Sequence, residues 1–163
     1  MDRYTSDFFG LIQLNSIEDD YDAEFNYNGR IIELDLNIYK EQIPNIEQLK
    51  QIDKFLNELE KYEIEIREFI SNDFKKNGIS REYIEFYTDS FEDYELEKVI
   101  DKNHPNETAE EQLIKTVYIQ RIGFYPNDNF YAIFDFHVNH EISDQILVIV
   151  LENDRSYDIT WES

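Results

Sequence analysis

Hydrophobic positions along the chain change period twice, and the changes set out its plan. Phe9 to Leu14 reads as a short apolar strand ending at Asn15-Ser16. Tyr21 to Tyr27 alternates aromatic or small residues with polar ones. Arg30 to Ile38 alternates again, with Ile32, Leu34, Leu36 and Ile38 on one face and Glu33, Asp35 and Asn37 on the other. Such period-two alternation marks half-buried strands. Asn28-Gly29 between the two runs is a strong hairpin signal, because both residues accept positive φ. The opening therefore predicts a hairpin extended into a three-stranded meander.

From Pro44 the period lengthens. Asn45 with Gln48 has the form of a capping box, and apolar residues follow at Ile46, Leu49, Ile52, Phe55, Leu56, Leu59, Tyr62, Ile66, Phe69, Ile70 and Phe74. That spacing fits 3.6 residues per turn. One long helix and two helices broken near Lys61 both satisfy it, and Ile64 falls off the stripe. Lys75, Lys76 and Gly78 supply a stop. Ser80 opens a further helix with Tyr83, Ile84 and Tyr87, and Ser90 to Asp93 reads as a fresh cap before Leu96. Thr108 to Glu111 is a capping box before Leu113 and Ile114.

The texture then turns β-branched and aromatic. Val117–Tyr125, Phe130–Val138, Gln145–Leu151 and Tyr157–Trp161 predict four strands joined by turn-like segments. Short connections imply antiparallel neighbours. Strands, then helices, then strands predict a single α+β domain over residues 1–163, with antiparallel β-meander strands at both ends packed against a central group of helices.

Composition adds charge to this picture. Asp and Glu number 37 against 15 Lys and Arg, a net charge of −22. The excess is spread along the chain: 14 acids to 5 bases in residues 1–60, 15 to 8 in 61–115, and 8 to 2 in 116–163. Twelve Phe and twelve Tyr supply a core and argue against disorder. A field of this sign repels nucleic acid and anionic lipid and attracts basic proteins. Simple solubility is the plain alternative. Cysteine is absent, which excludes disulfides, thiolate zinc sites and cysteine nucleophiles. With no apparent signal peptide or membrane-length apolar run, the expectation is a cytoplasmic protein that engages neither membrane nor nucleic acid.

Candidate chemistry is sparse, and the sequence predicts no catalytic, cofactor-binding or metal-binding residues. His137 and His140 lie on or just beyond a strand, and with Glu141 they would hold a metal only if a turn re-aimed one of them. His104 sits in a loop, and Ser143 lies near His140 without a nucleophile motif around it. Asp135, between Phe134 and Phe136, is the best candidate for a tuned carboxylate, and the solvent side of an alternating strand is its ordinary explanation. Glu152 to Asp158 spaces oxygen ligands at alternate positions but lacks the glycine and closing glutamate of a calcium loop, so a hairpin turn fits better.

Two acidic clusters remain as candidate partner-binding residues. One is Glu18, Asp19, Asp20 and Asp22. The other, Glu92, Asp93, Tyr94, Glu95 and Glu97, mixes acids with an aromatic in a way that suits a basic partner. A solvated helix face is the alternative for the second.

Several strings together carry a resemblance: Phe9-Gly10-x-Ile12-x-Leu14, Asn28 to Asn37, Arg121-Ile122-Gly123-Phe124-Tyr125-Pro126, Ala132 to Phe136, and Asp158-Ile159-Thr160-Trp161-Glu162-Ser163. In this order they resemble a family of small acidic bacterial proteins classed as a domain of unknown function. The resemblance covers essentially the whole chain and brings no catalytic residues with it. In general character such proteins are also similar to immunity proteins that neutralise toxins. The expected function is thus a non-catalytic interaction module for a basic protein partner, with a toxin-neutralising immunity protein as its sharpest form. An enzyme using carboxylates and a nucleic-acid mimic are the alternatives.

Overall fold

The computed structural model describes residues 2–39, 41–104 and 106–163. The chain runs through β1 (Arg3–Ser6), β2 (Gly10–Gln13), β3 (Asp20–Tyr27) and β4 (Arg30–Asn37). Helices α1 (Ile46–Asn57), α2 (Leu59–Lys75), α3 (Ile79–Ser90), α4 (Asp93–Leu96) and α5 (Ala109–Thr116) follow. Strands β5 (Tyr118–Phe124), β6 (Phe130–His137), β7 (Ile146–Glu152) and β8 (Tyr157–Glu162) complete it. This is the α+β arrangement expected from the pattern, with strands at both ends flanking central helices. Among the described residues, no helix is long and apolar enough to cross a membrane.

The two groups of strands merge into one six-stranded sheet ordered β3-β4-β5-β6-β7-β8. Its neighbours are antiparallel except β4 and β5, which run parallel with Glu33 opposite Arg121 and Asp35 opposite Gly123. The helices are therefore the crossover that a parallel pair requires.

The expected opening meander does not form, because β2 pairs with β1 in a separate hairpin. That hairpin is held by side chains no local pattern shows. The buried Asp53 carboxylate on α1 accepts from the Tyr4 hydroxyl at 2.6 Å, the Ser6 hydroxyl at 2.5 Å and the Asp7 main-chain N–H at 3.0 Å. Ser6 Oγ in turn accepts from the N–H groups of Phe8 and Phe9, shaping the turn.

Among the helices, the break comes at Glu58 rather than Lys61, between two segments whose apolar stripes still align. Asn45 and Gln48 close the expected capping box, as do Thr108 and Glu111. Helix α3 begins at Ile79, one residue before Ser80. Asp73 of α2 acts as its cap, accepting from the Ser80 N–H at 2.7 Å and hydroxyl at 2.6 Å. Gly78 is required there: a Cβ would lie 2.0 Å from Asp73 Oδ1.

The core lies between the helices and one face of the sheet. Leu34 and Leu36 of β4, Ile122 and Phe124 of β5, Phe134 and Phe136 of β6, and Leu147 and Ile149 of β7 are all buried. Phe55 of α1 stacks on Tyr62 at 4.0 Å and meets Phe124 and Tyr131 edge-on at 5.7 and 5.6 Å. At the far end, the Tyr83 hydroxyl donates to the Gln145 carbonyl at 3.2 Å and accepts from the Val138 N–H at 3.3 Å.

Candidate functional site on the open face of the sheet

Alternation that sends Ile32, Leu34 and Leu36 into the core sends Glu33, Asp35 and Asn37 to the opposite face. The register with β3 places Glu24 opposite Glu33, Asp22 opposite Asp35 and Asp20 opposite Asn37. The Ile38 N–H donates to the Asp19 carbonyl. This makes residues 19 and 38 a hydrogen-bonded pair, so Glu24/Glu33 and Asp22/Asp35 are non-hydrogen-bonded pairs, where side chains come closest. Like charges placed directly opposite in this way destabilise a sheet.

These side chains line a broad open concavity of about 1430 Å³. Among its described lining residues are eight carboxylates (Asp19, Asp20, Asp22, Glu24, Glu33, Asp35, Glu41 and Asp128) and one guanidinium, Arg121. Its rim is fixed by Asn127, which donates to the Gln42 carbonyl at 3.0 Å and accepts from the Gln48 side chain at 2.6 Å.

Arg121 does not neutralise the face as a whole, because it is fully engaged. Its Nε lies 2.5 Å from Asp35 Oδ1 and its Nη2 2.8 Å from Oδ2, a two-pronged contact, while Nη1 reaches Asp135 at 3.1 Å. Burial disfavours the Arg121 charge, but the Tyr125 hydroxyl and the two carboxylates outweigh it, leaving the pKa above the usual value. Gly123 makes room for this cluster, since a Cβ there would lie 2.9 Å from Asp35 Oδ2 and 3.0 Å from Arg121 Nη2.

The sequence-selected residues divide between different places. Asp19, Asp20 and Asp22 line the concavity, whereas Glu18 lies outside it, its N–H bonded to the Tyr21 hydroxyl. The second cluster belongs to the helical layer and contributes nothing to the concavity's lining. Lys102 pairs with Asp93 at 3.2 Å and Glu97 at 2.8 Å. Glu95 accepts from the Glu92 N–H to close a capping box. Tyr94 projects into solvent at 70% exposure. Those acids thus behave as a solvated, locally paired helix end.

Sequence reasoning missed Glu24, Glu33, Asp35, Glu41, Asp128 and Arg121 as site residues. The Asn28-Gly29 turn offered a signal for the first three, because a two-residue hairpin fixes which side chains face each other.

Asp135 sits on the outer face, tied to Arg121, and its side chain is only 15% exposed. His137 is buried beside it with Nδ1 unpartnered. Burial holds the His137 pKa below the usual histidine value, assisted by His140 and opposed by Asp135 and Asp144. His140 Nδ1 lies 3.0 Å from the Tyr118 hydroxyl. Among the described residues, no group of three or more histidine or acidic side chains is placed to hold a metal ion. Ser143 Oγ accepts from the Gln145 N–H, and Asp154 accepts from the Ser156 N–H and hydroxyl, both as parts of turns.

No family model matches the chain, and neither does any curated protein or solved structure.

Proposed function

We propose that the chain is a protein-interaction module that holds a basic protein partner against the acidic concavity of its sheet. A toxin-neutralising immunity protein is the specific form of this reading. The observation that carries it is the pairing of carboxylate with carboxylate across β3 and β4, on a face whose described lining holds eight acids and one already engaged arginine. Arg121 offsets the charge of Asp35, but the facing Glu24 and Glu33 oppose folding, and surfaces that violate a local rule mark functional sites. A cationic partner would turn the repulsion into attraction and speed encounter. The gathering of Asp20, Asp22 and Glu24 in one row, spaced by about 7 Å along the strand, also suits a nucleic-acid mimic, whose partner would be a basic nucleic-acid-binding protein.

The test is affinity capture from a native bacterial lysate at low salt, with the unaltered chain and a Glu24→Lys/Glu33→Lys variant as parallel baits. A basic protein retained by the first, released by salt and missed by the second supports the reading. Equal capture by both baits sinks it. Competition of the captured protein by duplex DNA separates the mimic from the immunity form.

A further inference from the structure

Strand β3 is the first strand of the sheet and, among the described residues, pairs with β4 alone, so its other side is an open edge. The ladder phase follows from two observations. Ile38 N–H donates to the Asp19 carbonyl. The hairpin closes through Asn28 at φ 50° and Gly29 at φ 78°, which makes Tyr27/Arg30 a hydrogen-bonded pair. Both put the N–H and C=O groups of Tyr21, Ala23 and Phe25 toward β4. Those of Asp20, Asp22, Glu24 and Asn26 therefore point outward. The residues whose side chains furnish the acidic row are the same ones whose backbone groups await a partner strand.

The inner face of the edge is also incomplete. Tyr21, Ala23 and Phe25 are only half-buried against the core, while their β4 partners Leu36, Leu34 and Ile32 are buried. Phe8, at the tip of the first hairpin, meets Phe25 edge-on at 5.2 Å, and Tyr27 of the same strand lies beside it at 5.8 Å. The opposite edge differs, because α3 packs on β8 through Tyr83 and Phe86 against Trp161.

Resting on the reading of the acidic face given above, we infer that the partner engages by strand addition. An extended segment alternating basic with apolar residues pairs along β3, continuing the six-stranded sheet. Its basic side chains lie over Asp20, Asp22 and Glu24, and its apolar side chains cover Tyr21, Ala23 and Phe25. Backbone pairing of this kind supplies affinity, and alternate side chains supply specificity. Charged edges commonly serve to prevent aggregation. In this chain, the same carboxylates oppose antiparallel pairing of β3 with β3 of a second copy, where acids would stand across from acids. The edge thus rejects itself and accepts a cationic strand.

The test uses the full chain and a synthetic peptide alternating lysine with valine, matched in length to β3. Two control peptides carry the same charge, one N-methylated at the lysine amides and the other at the valine amides. A paired strand turns only one set of amides toward its neighbour, so one control should bind at least about tenfold more weakly, the loss expected for several backbone hydrogen bonds. The parent peptide should slow amide hydrogen exchange at Asp20, Asp22, Glu24 and Asn26. Asp22→Pro removes an outward N–H and should weaken binding well beyond Asp22→Thr, which loses the same charge. If the parent binds but both controls bind equally well, without protection of those amides, strand addition is overturned and the acidic-face reading stands. If the parent does not bind even at low salt, both fall.

Discussion

Replacing Glu24 by lysine should make the protein more stable. Glu24 and Glu33 stand directly opposite in a non-hydrogen-bonded pair, where cross-strand Cβ atoms are roughly 5 Å apart. At that separation, in a medium close to water, two unit charges interact by about 0.8 kcal/mol. Glu24→Gln removes the repulsion and gains about that much. Glu24→Lys reverses its sign, for a total of about 1.5 kcal/mol at low ionic strength. A Debye length of about 8 Å at physiological salt cuts the gain to roughly half. For a chain of this size each kcal/mol moves Tm by about 2–4 °C, so Glu24→Lys should raise Tm by about 3–6 °C in dilute buffer. Thermal melts of the three proteins across a salt series make the assay. The order Lys above Gln above Glu should hold at low salt and converge at high salt. A lysine variant no more stable than the glutamine variant in dilute buffer, or a gain indifferent to salt, would refute the electrostatic reasoning. The same substitution should weaken a basic partner, so that stability and binding move in opposite directions.

Asp53→Ala should detach the first hairpin, leaving the Tyr4 and Ser6 hydroxyls and the Asp7 N–H without their acceptor. A loss of about 3 kcal/mol is expected in urea unfolding, with faster amide exchange at Leu11, Ile12 and Gln13. Arg121→Met should destabilise by about 2 kcal/mol, discounted for partial exposure, because Asp35 and Asp135 are left facing each other without their shared cation. Rescue of that variant by a further Asp135→Asn, followed by urea midpoints, checks the assignment. His137 has a folded pKa below its unfolded value, mainly through burial. Its contribution is therefore fully present above the unfolded pKa of about 6.5 and is lost as pH falls below it, since the unfolded chain takes up a proton the folded one resists. His137→Phe should flatten this part of the stability profile between about pH 7 and pH 5, whereas parallel profiles would count against a buried neutral ring.

Local pattern was enough for most of the elements, β1 excepted. Strands alternate at period two and helices at 3.6, and the Asn45–Gln48 and Thr108–Glu111 capping boxes, like the Asn28-Gly29 turn, are written in adjacent residues because their physics is local. That hairpin even contained half of the acidic face, since register and alternation together decide that Glu24 faces Glu33. Cluster 92–97 lies apart from the concavity, and density of acid along the chain says nothing about pairing in space. Lys102, which satisfies two of its members, lies on a later turn. The Asp53 clamp joins residues 46 to 49 positions apart, and the Arg121–Asp35 pair joins residues 86 apart. Neither leaves a local trace. Above all, the parallel pairing of β4 with β5 decided the site, by placing a single arginine and a glycine beside β4's acidic row. The sequence by itself determined most of the strands and helices, though not β1, and that the protein is strongly acidic. Only tertiary structure decided that eight of the acids line one open face beside one open edge, because hydrogen-bond geometry and core packing choose which strands become neighbours.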